Sequence, residues 1–162
     1  SLKDRGVKIN RGVIKKTFDT MGLNYVSDLI LLNLSDTLEI LKWNNTNKIY
    51  VYRMSSDSFP WMLEYEFSDL PNFEKIKKRL EEIGDYVKNN NIRVSYHPSQ
   101  FNVLGSLDEN VVNRTIKELD KHSELMDLMK LEQSTFYPIN IHINSTKPNI
   151  IESSSRFCSN VD

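Results

Sequence analysis

Two histidines stand where a parallel-sheet protein would place metal ligands. His97 opens the run His97-Pro98-Ser99-Gln100-Phe101, directly after the strand-like stretch Arg93-Val94-Ser95-Tyr96. His142 closes a similar stretch, Ile139-Asn140-Ile141. Neutral imidazole binds zinc, manganese or iron, and a metal site needs such groups converging from separate strands. Pro98 cannot continue a ladder, so the chain turns after His97 and leaves the ring at the sheet edge. In a barrel of parallel strands, metals and catalytic groups collect at that edge. Two imidazoles do not complete a catalytic metal site, which usually takes three or more protein ligands. Glu64, in the long connection after an earlier strand, is the candidate third ligand, although a solvated loop carboxylate is the commoner fate of such a residue. His122 falls inside an amphipathic segment and reads as structural.

The elements that must position these groups alternate. Residues 1–20 are basic, poorly periodic and interrupted by Gly6 and Gly12, and read as a loop. From about Asn24 to Trp43, Leu31, Leu34, Leu38 and Leu41 recur at the spacing of one helix face. Lys48 to Met54 alternates β-branched and aromatic residues as a strand does. The connection Ser55 to Leu70 is of a length more often functional than idle. Pro71 opens a helix whose stripe is Phe73, Ile76, Leu80, Ile83 and Val87, with Asp69 as an acidic start signal. A strand over 92–97 follows, then a helix from cap Asp108 to about Met129 with Val112, Ile116, Leu119, Ser123 and Met126 inward. A strand over 137–143 and a helix over 150–157 complete the order. Such alternation predicts an α/β fold with a parallel sheet and crossover helices.

Composition bounds the partners. The 162 residues, 39% hydrophobic and 27% charged, suit one domain with its own core. A net charge of -1 argues against wholesale nucleic-acid binding, but 21 Lys+Arg can still form a local basic groove. Lys3, Arg5, Lys8, Arg11, Lys15 and Lys16 could contact phosphates, a weak signal because charge runs are usually just solvated. Phe59, Trp61, Tyr65 and Phe101, with the amides Gln100 and Asn102, could stack on or wedge between bases, although packing under long loops explains most such aromatics. The lone Cys158 rules out an internal disulfide and suits a reducing, intracellular compartment. There is no apolar run of the roughly 20 residues a membrane helix needs, no Gly-rich phosphate loop, no nucleophile elbow and no paired-cysteine zinc motif.

Several motifs, in order, resemble the UV damage endonuclease family. They are Asn33 to Asn44 (NLSDTLEILKWN), Tyr52-Arg53-Met54-Ser55-Ser56-Asp57 with Phe59-Pro60-Trp61, His97 to Phe101 with Val103-Leu104, His122 to Met129 (HSELMDLM), and Ile139 to His142. The resemblance implies a (β/α)8 barrel of the endonuclease IV and xylose isomerase-like kind, holding several divalent ions, typically manganese. It implies incision of double-stranded DNA immediately 5′ of ultraviolet photoproducts by a monomeric enzyme. By motif match His97 and His142 are expected metal ligands. Gln100 and Phe101 are expected to probe the duplex, with phenylalanine where many relatives carry tyrosine. Glu64 falls where some members have histidine.

The family's first strand and its later ligands are not in this sequence. The expectation is therefore an incomplete barrel over 1–162, three of its eight strands, that is a piece of a longer protein and inactive by itself. Two other readings stay open: a barrel metal enzyme acting on a small sugar, and an inactive truncated copy.

Overall fold

Two short strands, β1 (Val51–Met54) and β2 (Arg93–Tyr96), pair in parallel, with Val51 opposite Arg93 and Met54 opposite Tyr96. Parallel neighbours require a crossover, and α2 (Phe73–Asn89) provides it. α1 (Lys15–Thr46) precedes the strands, while α3 (Glu109–Leu128) and α4 (Ile150–Val161) follow. This computed structural model describes residues 2, 4, 6–143 and 146–161. The chain is α/β with parallel strands and a crossover helix, as the alternation predicts, and forms an arc of the (β/α) barrel that the resemblance implies. Among the described residues no helix is long and apolar enough to cross a membrane.

Alternation decides which strand residues face the helices. Met54, Val94 and Tyr96 are buried against α1, α2 and α3, whereas Arg53 and its register partner Ser95 point to the opposite, open face. The helical stripes meet this layer. Leu34, Leu38 and Leu41 of α1 and Ile76, Leu80, Ile83 and Val87 of α2 are core residues, joined by Val26 and Ile30. Gly84 lets α2 and the end of α3 touch: a Cβ there would lie 1.8 Å from the Met129 carbonyl oxygen.

Several expectations shift. Helix begins at Lys15, inside the segment read as loop, and breaks at Gly22, whose φ of 64° and ψ of -166° suit glycine alone. No side chain caps its start at Ile14, so no sequence signal marks it. On α3 the inward face carries Val112, Thr115, His122, Leu125 and Met126, while Ile116 is exposed. The strand expected over 137–143 reduces to one bridge, Tyr96 to Ile139. Its cause is register. Ile139 meets the last residue of β2, so residues 140–142 run past the ladder, and Pro98 lacks the N–H that would extend it.

His122 is structural. It is fully buried in α3, its Nδ1–H donates to the Glu118 carbonyl (2.8 Å), and its ring meets Tyr96 edge-on at 4.8 Å. Burial pushes its pKa below the ordinary 6.5. On acidification the unfolded chain therefore takes up this proton before the folded one. The stability is present above about pH 6.5 and is lost as pH falls below it. Urea midpoints at pH 7.5 and 5.5 are expected to differ less in His122→Leu than in the unaltered chain. Gly84→Ala is expected to lower stability by about 1–3 kcal/mol, although alanine normally gains about 1 kcal/mol inside a helix. Equilibrium unfolding reads the sign directly.

Candidate functional site

The end of β2 sets the site. Tyr96 N–H donates to the Pro138 carbonyl (3.2 Å), and Asn140 N–H donates to the Tyr96 carbonyl (2.9 Å). This holds the 138–142 segment alongside β2, so the next residue, His97, meets His142. The two half-buried rings lie edge to face, centroids 4.5 Å apart and planes at 88°. They line a cleft of about 480 Å³ together with Arg53, Asp57, Ser99 and Gln100. Arg53 arrives there by strand alternation, on the same open face as Ser95 and His97.

The turn beyond His97 presents the other expected residues. Asn102 N–H closes it on the Ser99 carbonyl (3.0 Å), leaving Gln100 and Phe101 at the two central, projecting positions. Gln100 lines the histidine cleft, and Phe101 is 79% exposed. Asn102, grouped with the base-contacting amides in the sequence, has a different task. It is buried, and its amide donates to the Ser99 carbonyl (3.0 Å) and to Glu118 Oε1 (2.8 Å), clamping the turn to α3.

Glu64 is not brought to the histidines. It sits on a short 3-10 turn (Met62–Glu64), lines the adjoining cleft and pairs with Lys15 at 3.5 Å. Among the described residues no group of three His, Cys, Asp or Glu is gathered as a metal site. The aromatic constellation divides as well. Phe59 and Tyr65 are core residues, because the connection folds back under itself, and only Trp61 and Phe101 remain exposed. Trp61 is held in the left-handed conformation (φ 59°) while its indole N–H donates to the Val13 carbonyl (2.8 Å). Strain of this type costs about 1–3 kcal/mol.

Of the four described basic side chains of the N-terminal segment, two are ion-paired and two, Lys8 and Lys16, have no ion pair among the described residues. Arg11 pairs with Asp36 (2.7 Å) and Lys15 with Asp19 (3.2 Å), while Lys3 and Arg5 lie outside the described residues. The segment is instead a strap on α1. Buried Asn33 accepts from Arg11 N–H (2.9 Å) and donates to the carbonyls of Arg11 and Ser58 (both 3.1 Å). The strap residue Ile9 thereby walls the histidine cleft. Lys121, buried beside the Phe67 ring, bonds Glu66 and holds that carboxyl below its usual range.

The model of the UV-endonuclease UvdE family matches residues 4–162. The chain belongs to this family. Its UvdE relatives include the UV DNA damage endonuclease of Clostridium perfringens, 34% identical over 125 residues, which are 77% of this chain and 29% of that protein. The UV-damage endonuclease of Schizosaccharomyces pombe is 32% identical over 133 residues, 82% of this chain and 22% of that one. Among solved structures, SacUVDE superposes with a TM-score of 0.86 at 32% identity, covering 98% of this chain and 52% of its own. The chain thus spans about half of SacUVDE or less of each UvdE relative named. The likeness to SacUVDE extends over nearly the whole arc described above.

Arg53 was not singled out by sequence reasoning, although the alternation of β1 puts it on the face of His97. Nor were Arg114 and Lys117 of α3, whose i, i+3 spacing reads as an ordinary solvated face.

Asn33→Ala is expected to strand three backbone groups, destabilising the chain by about 2–3 kcal/mol. Urea unfolding checks the loss, and faster hydrogen exchange over residues 7–13 would locate it in the strap.

Proposed function

We propose that this chain forms part of the active centre of an endonuclease that cuts DNA 5′ of ultraviolet lesions, with His97 and His142 as ligands of a divalent metal, manganese first among candidates. The observation that carries this reading is the edge-to-face approach of the two imidazoles at 4.5 Å, at the end of a parallel strand. Two such nitrogen donors from separate segments fit two coordination positions on one ion. Glu64, held by Lys15 in the adjoining cleft, is not part of this set.

A divalent ion bound there supplies Lewis acidity toward a phosphate oxygen and its leaving group. Arg53 shares the histidine cleft and has no ion-pair partner among the described residues, so its forked N–H donors are placed to hold a phosphate. Gln100 and Phe101, at the tip of a turn clamped by Asn102, are presented to enter a duplex whose stack is already interrupted. Lesions that unstack the helix cost less to bend and extrude than intact duplex, which gives selectivity without reading sequence. The exposure of Phe101 beside the histidines suits a duplex better than an enclosed small sugar.

Two measurements test this. Manganese binding, followed by loss of the free-ion electron-spin signal, is expected to weaken in His97→Ala and His142→Ala. Losing a direct ligand should cost more than the roughly 10–100-fold typical of an outer partner. Unchanged affinity in both variants would overturn the metal assignment. Irradiated duplex is expected to bind several-fold more tightly than the same duplex unirradiated, with Phe101→Ala reducing that preference. Equal affinity for the two duplexes would remove the damage reading.

A further inference from the structure

The larger cleft, about 960 Å³, lies beside the histidine pair and has no part in the chemistry above. Ser56, Asp57 and Ser99 line both clefts, so the two adjoin. One wall is the first half of α3, the other the strained turn carrying Trp61.

The charges in this cleft are unequal in their freedom. Glu64 is ion-paired with Lys15 (3.5 Å), Glu118 accepts from buried Asn102 (2.8 Å), and Asp57, at the border with the histidine cleft, has no ion-pair partner among the described residues. Arg114 has no hydrogen-bond or ion-pair partner among the described residues. Lys117, one helical turn on, is steered into the cleft by the Leu63 carbonyl (2.7 Å), a neutral partner, and its charge is felt only weakly by the Glu66 carboxylate, which Lys121 bonds directly. Opposite them Trp61 is fixed at its N–H by Val13 and flanked by Phe18, with ring centroids 6.0 Å apart. The Lys15 ammonium stands 5.3 Å from its ring. Two cations one turn apart facing an immobilised indole match a chain of phosphates and bases: cations take the backbone, and the ring takes one base face.

We propose that this cleft is a subsite for the DNA strand flanking the histidine cleft, in which Arg114 and Lys117 each hold a phosphate and Trp61 stacks on a base. This rests on the reading of the substrate as DNA and deepens it. Phosphate contacts position a strand without carrying information about damage. The subsite therefore raises affinity for irradiated and intact duplex alike.

The test is a salt titration of binding to a fluorescently labelled duplex, irradiated and not, by anisotropy. Arg114→Ala and Lys117→Ala are each expected to lower affinity and to reduce the slope of log affinity against log salt by about one. The ratio of irradiated to intact affinity should stay unchanged. Lys117→Arg should restore the slope, and Lys42→Ala on α1 should leave it untouched. Duplex should quench tryptophan emission in the unaltered chain and not in Trp61→Phe, which keeps Trp43. Unaltered slopes in both alanine variants, with the parent chain binding normally, overturn the subsite while leaving the DNA reading intact. No binding by the parent chain at low salt overturns the DNA reading and the subsite with it.

Discussion

Everything at the site depends on how β2 ends. Tyr96 uses both backbone groups on the 138–140 segment, and Pro98, one residue beyond His97, has no N–H with which to continue. The ladder therefore stops at the residue before His97. The neighbouring segment, caught at a single bridge, runs on beyond it and delivers His142 to the same place. A longer third strand would bring no more to this meeting. The constraint is local and backbone-borne, and it orients two rings that are 45 residues apart in sequence.

Buried amides then fix the loops that a short sheet cannot hold. Asn33 joins the N-terminal strap and the exit from β1 to α1, and Asn102 fastens the Gln100-Phe101 turn to α3. Asn33 bonds backbone through both its amide oxygen and its amide nitrogen, and Asn102 donates its amide N–H groups to a carbonyl and a carboxylate, so burial costs little and specificity is gained. Their effect on the surface is asymmetric. They hide themselves while pushing Phe101, Gln100 and the strap residues to the rim. The same logic governs Trp61, whose unfavourable backbone is held by one bond to Val13 and whose ring stays exposed as a result.

Much of the arc was legible in the chain. The apolar stripes of α1 and α2 and the Asp108 cap of α3 stand as read, because each is local chemistry. The misses share a different cause. Gly22 does not announce a break, and an uncapped start at Ile14 carries no signal. The third strand failed because pairing length depends on where the neighbour ends, which is a property of register and not of the segment. Phe59 and Tyr65 read as surface aromatics only because the folding back of their connection is not written in its composition.

By itself, the sequence determined the alternation of helix and strand and the placing of both histidines after strand-like runs, since periodicity and proline act over a few residues. It also determined the family, through motifs kept in order. Only the tertiary structure decided which side chains share a cleft. It set His97 against His142, drew Glu64 away to Lys15, and brought Arg114 and Lys117 opposite Trp61. Such meetings join residues far apart in the chain, and their distances follow from helix packing and strand register, which no local pattern encodes.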